Sequence, residues 1–522
     1  MLRTIIPFVV CGIVFGLAFL FPSTGYSLVL GWLAIFSFVS CSRMPQSRPR
    51  HFFLVGFIGQ LIAFYWIPDT VMYFGGFGRP LSLVIFLGFL ILAALQFGLV
   101  GWMFMQLRRT ALARCHSALA FAWLSAEVLY PRMFPWALSH TQLQWQSFAA
   151  LTEFVGVLPL GALMIWWAEV IFSFFSGTVR VTVRTHWAMF LVFLLSLLLI
   201  PLGAARNIKV KEQLEHAPIV KMGLIQGNLA AKQKGNVRYF ESNLARYQNL
   251  SQAAEADGAS LILWPESVFT QFTPERIENV NKTRFDPFPG RSVPLLYGSL
   301  SVREASRDNF QQDLPFNSVF GLDTDGKVVG KYHKRILMPL GEYIPLADRF
   351  PWLKQLSPQT GELAVGDITT PIEVSGLRNE RELNPTTARV GALICYEDLV
   401  PQLAIDALLT NANVLVNFTN DAWYGDTAAP LQHHLLATWR ALETRRYLVR
   451  VTNTGLTAVV NPFGETIAQL GLFTPGYLVE NVSLLDGVTF YAKSGDRPWQ
   501  VISFLVLALG ILTRMKKQQP GD

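Results

Sequence analysis

Eight stretches of this 522-residue chain are apolar over lengths close to the roughly 20 residues that a helix needs to cross a bilayer core of about 30 Å. They fall near residues 4–22, 25–42, 52–76, 81–106, 116–133, 152–177, 187–205 and 498–513, so seven precede one long polar segment and the eighth follows it. At 51% hydrophobic and 15% charged residues the chain is unlike an ordinary soluble protein. The pattern predicts a seven-helix membrane domain over 1–205, a large domain over 206–496, and a final span with a short basic tail over 497–522. The fifth span is the weakest, because it carries Glu127 and meets Pro131, Arg132 and Pro135. Reading it as a loop would invert everything after it. The opening MLRTIIPFVVCGIVFGLAFL has the outline of a signal peptide, but it runs through FPSTGYS into another apolar stretch, so a retained first helix is expected.

Basic residues set the orientation. Arg3, then Arg43, Arg48 and Arg50, then Arg108, Arg109 and Arg114, then Arg180 and Arg184, and finally Arg514, Lys516 and Lys517 occupy alternate connections, while the intervening short loops hold only Arg79 and Arg132. Cytoplasmic loops carry the excess of Lys and Arg. Both termini are therefore expected in the cytoplasm and residues 206–496 outside it. The net charge of +7 follows from this topology; it forms no single basic face of the kind that binds nucleic acid. Trp66, Tyr73, Trp136 and Trp145 fall near the outer boundary, where aromatic rings commonly anchor at the interface.

Within the polar segment, β-branched runs recur between turn signals, among them IVKMGLIQGN, SLILWPES, PLLYGSL, KVVGKYH, RVGALICYE and NVLVNFTND. Helical patterns lie between several of them, notably RYFESNLARYQNLSQAAEA and LQHHLLATWRALETRR. About nine strands are expected, in an α/β domain large enough to bury a core without disulfides. The sequence SVFGLDTDGKVVGKY reads as a hairpin, hence a mixed sheet. Residues 301–315 and 351–388 read as loops and are candidates for lids.

Cys395 is the lone cysteine of this segment. Outside the cytoplasm it has no disulfide partner, so it is either a small core hydrophobe, the commoner case, or present for its chemistry. Its strand gives way to Tyr396, Glu397 and Asp398, and the start of a helix or turn there would stabilise a thiolate. In SLILWPES the Trp-Pro pair is expected to end the strand and leave Glu266 at its carboxyl end, where α/β sheets bind ligands. Alone, that carboxylate is most simply a solvated turn residue. Lys334, in a loop that also carries Glu342, is alone most simply a surface lysine beside Lys331 and Arg335. Together the three supply a base, a cation and a nucleophile at strand ends. His433 and His434 are adjacent, which suits two faces of a helix better than one metal site.

WPE with Glu266, KxxLxPxGE with Lys334 and Glu342, CYE with Cys395, and NDAWYG at 420–425 resemble the signatures of the nitrilase, or carbon–nitrogen hydrolase, superfamily. The spacings, 68 residues from Glu266 to Lys334 and 61 onward to Cys395, suit that fold. With seven spans before and one after, the whole chain resembles the bacterial apolipoprotein N-acyltransferases. FPW at 134–136, QGN at 226–228, and the run Gln432, Arg440, Glu443, Arg446, Arg450, Asn453 agree. One departure follows QGN: the family shows a glutamine and then a lysine-tryptophan pair, whereas residues 229–235 are LAAKQKG, in which only Lys234 fits.

The resemblance implies an αββα sandwich on the periplasmic side of the bacterial inner membrane. It implies transfer of a fatty acyl chain from a phospholipid to the α-amino group of a diacylated apolipoprotein, through a thioester on Cys395. Glu266 would be the general base and Lys334 the oxyanion donor, with Glu342, Tyr396 and Glu397 in support. Trp423, Glu127 and Trp136 would contact substrate. The partners are the phospholipid, the apolipoprotein and the membrane; no metal or cofactor is required, and the chain is read as a monomer. A membrane-anchored amidase or nitrilase would use the same three residues, but a single anchor would suffice for it. A transporter with a binding domain is the other alternative, though spans one to seven show no internal repeat.

Overall fold

The computed structural model describes residues 2–21, 25–176, 183–230, 237–303, 315–356, 362–367 and 369–515. Positions 231–235 of the atypical loop, 304–314, 357–361 and 368 of the candidate lids, Arg180, Lys516 and Lys517 lie outside the described residues. The chain divides into two compact units, one of residues 1–67, 83–209 and 489–522, the other of 68–82 and 210–488.

The first unit is helical. Among the described residues four helices are long and apolar enough to cross a membrane: Gly25–Arg43, Arg79–Leu107, Leu158–Phe175 and Trp187–His216. The expected third span is broken: Pro49–Ala63 and Ile67–Tyr73 meet at a 55° bend. The weak fifth span is a helix of only 12 residues, Ala118–Leu129, because the prolines that follow remove donors and bar α geometry. Small residues let helices touch. A Cβ at Gly12 would fall 2.8 Å from Val55 O, and one at Gly16 2.6 Å from Ile62 Cβ, so helix Leu2–Leu20 lies directly on Pro49–Ala63. Phe15, Phe38, Phe97 and Trp123 interlock by their edges, with Phe38 and Trp123 centroids 5.4 Å apart. Two of the expected interfacial anchors are instead interior: Trp66 and Trp136 are buried, the latter stacked on Phe19 at 4.9 Å.

The second unit contains twelve described strands in two six-stranded sheets, three more than the sequence suggested. The first sheet is ordered β12-β1-β2-β3-β4-β5. Its strands are β1 (Ile219–Gln226), β2 (Leu261–Pro274), β3 (Leu295–Val302), β4 (Pro315–Leu322), β5 (Val328–His333) and β12 (Gly476–Ser483). The second is ordered β11-β10-β9-β8-β7-β6, from β6 (Ile372–Leu377), β7 (Thr386–Ile394), β8 (Val414–Thr419), β9 (Leu448–Thr452), β10 (Ala458–Val460) and β11 (Thr466–Gln469). In each, three parallel strands, β1-β2-β3 and β7-β8-β9, are flanked by antiparallel ones. The segment 351–388 is therefore not all loop, since β6 pairs with β7 through Ile372, Glu373 and Val374.

Alternation along the strands decides the layers. Leu224, Leu263, Leu296 and Val319 of the first sheet join Val390, Val416, Val449 and Val459 of the second in one buried cluster, so the sheets stack face to face. The opposite face of the first sheet, with Ile225, Ile262, Trp264 and Tyr297, is covered by helix Phe240–Ala256 through Tyr247 and Leu244. That of the second is covered by helices Pro401–Leu409 and Ala429–Thr444, through Ala404, Ala437 and Ala441. This is an αββα sandwich.

The Trp-Pro pair does not end β2, which runs on to Pro274. Pairing with β3 is interrupted instead: Trp264 faces Tyr297 and Phe269 faces Ser299, so residues 265–268 bulge out opposite Gly298 alone. A bulge tolerates Pro265, whose missing N–H would break a regular ladder. Ser267 takes a left-handed φ of 48°, and a Cβ at Gly298 would lie 2.4 Å from Pro265 O and 2.6 Å from Glu266 Cα. Leu296→Ala, which opens a cavity between the sheets, is expected to cost about 2–5 kcal/mol. Gly298→Ala, which drives a methyl into the bulge, is expected to cost about 1–3 kcal/mol. The thermal midpoint of the purified protein measures both, and an unchanged midpoint in Leu296→Ala contradicts the packing described.

Candidate active site

Strands that run parallel deliver their carboxyl ends to one side, and there β7, β8 and β9 give way to Cys395, to Asn420 and Asp421, and to Asn453. The β2 bulge contributes Glu266, β4 contributes Asn317, and the residue after β5 is Lys334.

Lys334 is 1% exposed, and two carboxylates surround its ammonium. Nζ donates to Glu342 Oε1 at 2.8 Å and lies 3.6 Å from Glu266 Oε1. Burial opposes the charge, but Glu342 and Glu266 outweigh it and raise the lysine well above its ordinary pKa. Asn317 completes the cluster: its Nδ2 donates to Glu266 Oε1 at 2.7 Å and to Glu342 Oε1 at 3.1 Å. Glu342 Oε2 accepts from Met338 N at 2.8 Å, so the loop carrying it closes on its own backbone. Glu342 is thus tied to Lys334 directly and to Glu266 through Asn317.

Cys395 is half-buried, at the end of β7, with a left-handed φ of 52°. That conformation is costly for a residue with a Cβ and persists only where surroundings fix it. Asn417 Nδ2 donates to Cys395 O at 3.0 Å. Glu397 holds the turn from below: its carboxylate accepts from Ile394 N at 2.8 Å and Tyr332 OH at 2.9 Å, and from Arg335 N at 2.6 Å and Ile336 N at 3.0 Å. The backbone just past Lys334 and the backbone at Cys395 therefore hang on one buried side chain. Burial lifts the Glu397 carboxyl to about 7 against those donors.

The turn Cys395–Leu399 is a five-residue 3₁₀ segment and gives the sulfur little stabilisation of the kind expected from a helix N-terminus. Burial pushes the thiol pKa up, the Glu266 carboxylate pushes it further, and Lys334 opposes both without prevailing. Burial and Glu266 together favour the protonated sulfur. Glu266, Lys334 and Cys395 are close enough to act on one another electrostatically.

Other expected residues fall differently. Tyr396 follows Cys395 and is half-buried, and Trp423 is half-buried in the turn Asp421–Tyr424. Glu127 and Trp136 belong to the helical unit, where Glu127 pairs with Arg132 at 4.0 Å and Arg132 Nη1 donates to Trp136 O at 2.8 Å. Asn453 pins the start of the atypical loop, accepting from Leu229 N at 2.9 Å and donating to Leu229 O at 2.8 Å and Asn420 Oδ1 at 3.0 Å. The sequence reading missed Asn317, although an amide inside the apolar strand PFNSVF was a signal. It also took His433 for an ordinary helix residue, whereas its ring lies between Asp398 and Asp421.

Residues 223–487 match the carbon-nitrogen hydrolase family, and residues 11–170 match the apolipoprotein N-acyltransferase N-terminal domain. An apolipoprotein N-acyltransferase of Geobacter metallireducens is 29% identical, over 96% of this chain and 94% of its own length. That of Gloeobacter violaceus is 31% identical over 94% and 90%, and that of Pseudomonas aeruginosa strain PAO1 28% identical over 87% and 85%. The chain belongs to the apolipoprotein N-acyltransferase family, with a carbon-nitrogen hydrolase domain in its second half.

Proposed function

We propose that this chain transfers a fatty acyl group from a membrane phospholipid to the α-amino group of the N-terminal diacylglyceryl-cysteine of apolipoproteins, through a thioester on Cys395. The observation that carries this reading is Cys395, at the end of its strand, gathered with the Glu266 carboxylate and the buried Lys334 ammonium.

A protonated thiol is a poor nucleophile until a base takes its proton. Glu266 takes it as sulfur attacks the ester carbonyl carbon, and the carbonyl oxygen becomes an oxyanion. Lys334 Nζ and a backbone N–H beside Tyr396 donate to that oxygen. Collapse breaks the carbon–oxygen bond, and Glu266 returns the proton to the departing lysophospholipid hydroxyl. In the second half the acceptor amine attacks the thioester carbon and gives a proton to Glu266. The carbon–sulfur bond then breaks, and Glu266 passes that proton to the thiolate, which restores both groups. Glu342 and Asn317 keep Glu266 and Lys334 in register, and Glu397 fixes the turn that carries sulfur.

The reading extends to the membrane. Four long helices, one bent pair, and the shorter apolar helices Thr4–Leu20, Ala118–Leu129 and Arg497–Leu512 supply eight spans, with both termini in the cytoplasm and the catalytic domain in the periplasm. The alternation of basic connections supports that orientation. A substrate that lives in the bilayer accounts for eight spans where a small-amide hydrolase needs one. The chain works as a monomer.

Intact mass analysis after mixing with a defined phospholipid is expected to show one added acyl mass on Cys395, discharged by a diacylated lipopeptide with a free α-amine. Cys395→Ala should show none, and discharge to water at the same rate would point to a hydrolase instead. Lys334→Met is expected to slow thioester formation roughly 10²–10³-fold; a change under twofold would remove Lys334 as oxyanion donor. For topology, a membrane-impermeant maleimide applied to intact spheroplasts should label Leu383→Cys, whose position is fully exposed, while Cys115 reacts only after permeabilisation. The reverse labelling order contradicts a periplasmic catalytic domain.

A further inference from the structure

We propose that His433 is a positioning residue for acyl transfer: its ring clamps the turn that carries Cys395 to the turn that carries Trp423, and its charge offsets that of Asp421 beside the sulfur. The proposal rests on Cys395 as the nucleophile.

The geometry is specific. His433 Nε2 lies 2.8 Å from Asp398 Oδ1, three residues past Cys395, and Nδ1 lies 3.0 Å from Asp421 Oδ1, two residues before Trp423. Ionised carboxylates only accept, so a ring that bonds to one at each nitrogen carries both protons and is an imidazolium. Burial opposes charge on the ring, as does Arg450, but Asp398 and Asp421 outweigh them and raise its pKa to about 9. Arg450 from β9 supplies the second cation, bonding Asp398 Oδ2 through Nη1 and lying 3.8 Å from Asp421 Oδ2. All four side chains are at most 5% exposed. Two anions and two cations thus balance, and a buried cluster of this kind tolerates loss of one member poorly.

Neighbouring groups do not substitute for the ring. His434 turns away to Thr466, with Nε2 2.9 Å from its Oγ1, and burial, helped by Arg450 and His433, holds it down to about 3. Tyr424 presents its ring edge to His433 with centroids 6.3 Å apart. The groups acting on Cys395 are Glu266 from β2, Lys334 past β5, Thr419 and Asp421 from the end of β8, and Tyr424. Asp421 raises the thiol pKa. With a neutral residue at 433 the Asp421 charge would act on the sulfur offset only by Arg450, 3.8 Å away.

The test uses the full-length protein and two readouts. The first is the pH profile of Cys395 alkylation by iodoacetamide, read on the Cys395 peptide. The second is the rate of thioester formation from a phosphatidylethanolamine. His433→Gln is expected to move the alkylation midpoint up by about one pH unit and to slow acylation about tenfold or more, with the KM for phospholipid within about twofold. Asp421→Asn, which removes the anion instead, is expected to move the midpoint down, and His434→Gln to leave it in place. A folded His433→Gln protein with the wild-type midpoint and acylation rate overturns the proposal. If His433→Gln fails to fold, an unmoved midpoint in Asp421→Asn overturns it as well. A wild-type protein that never forms the thioester, with the two midpoint shifts present, would sink the acyl-transfer reading and leave the clamp.

Discussion

The structure of the site depends on one buried ammonium. Taking a charge out of water costs several kcal/mol per ion unless partners surround it, and Lys334 is 1% exposed with Glu342 at 2.8 Å and Glu266 at 3.6 Å. Neither carboxylate is left to the lysine alone. Asn317 gives one hydrogen to each, and Met338 N donates to Glu342 Oε2, which also lies 2.8 Å from Lys334 Nζ. Four segments of chain, the β2 bulge, β4, the residue after β5 and the loop to Glu342, are held where these groups need them. The bulge exists because Gly298 offers no Cβ against it.

Cys395 stands beside this cluster, where burial and the Glu266 carboxylate raise the pKa of its thiol. A free thiolate would react with any electrophile or oxidant that reached it. In the mechanism we propose, the proton leaves to Glu266, whose oxygen is already engaged by Asn317, and charge on the substrate oxygen develops beside an ammonium fixed in advance. The left-handed backbone at Cys395 is held by Glu397 through two backbone N–H groups past Lys334 and one before the cysteine. Cys395 and Lys334 therefore cannot drift apart without breaking the same side chain's bonds.

Much of this was legible as residues at strand ends. Glu266, Lys334 and Cys395 each follow a β-branched run, and the αββα layering follows from two sets of alternating strands with helical patterns between them. Contacts between distant strands were not legible. Nothing in PFNSVF says that its amide meets two carboxylates, because that depends on β4 pairing with β3 next to the bulge. WPE reads as a strand end by proline's missing donor, yet a bulge satisfies the same restriction and lets β2 continue to Pro274. His433 and His434 do point to different partners, as adjacency on a helix suggested, but the two carboxylates waiting for His433 come from turns 35 and 12 residues away. In the helical unit, Trp66 and Trp136 read as interfacial by position and pack inside because helix 118–129 is short and the following segment folds back among the aromatics.

In the proposed mechanism the acyl chain is carried on Cys395 with its carbonyl oxygen facing Lys334. A high-resolution structure of the protein trapped after one half-reaction, with phospholipid supplied and acceptor withheld, tests it most directly. The expected result is density continuous with Cys395 Sγ and a thioester oxygen within hydrogen-bond distance of Lys334 Nζ. An unmodified sulfur in protein shown by mass to be acylated, or a thioester oxygen turned away from Lys334, would contradict it.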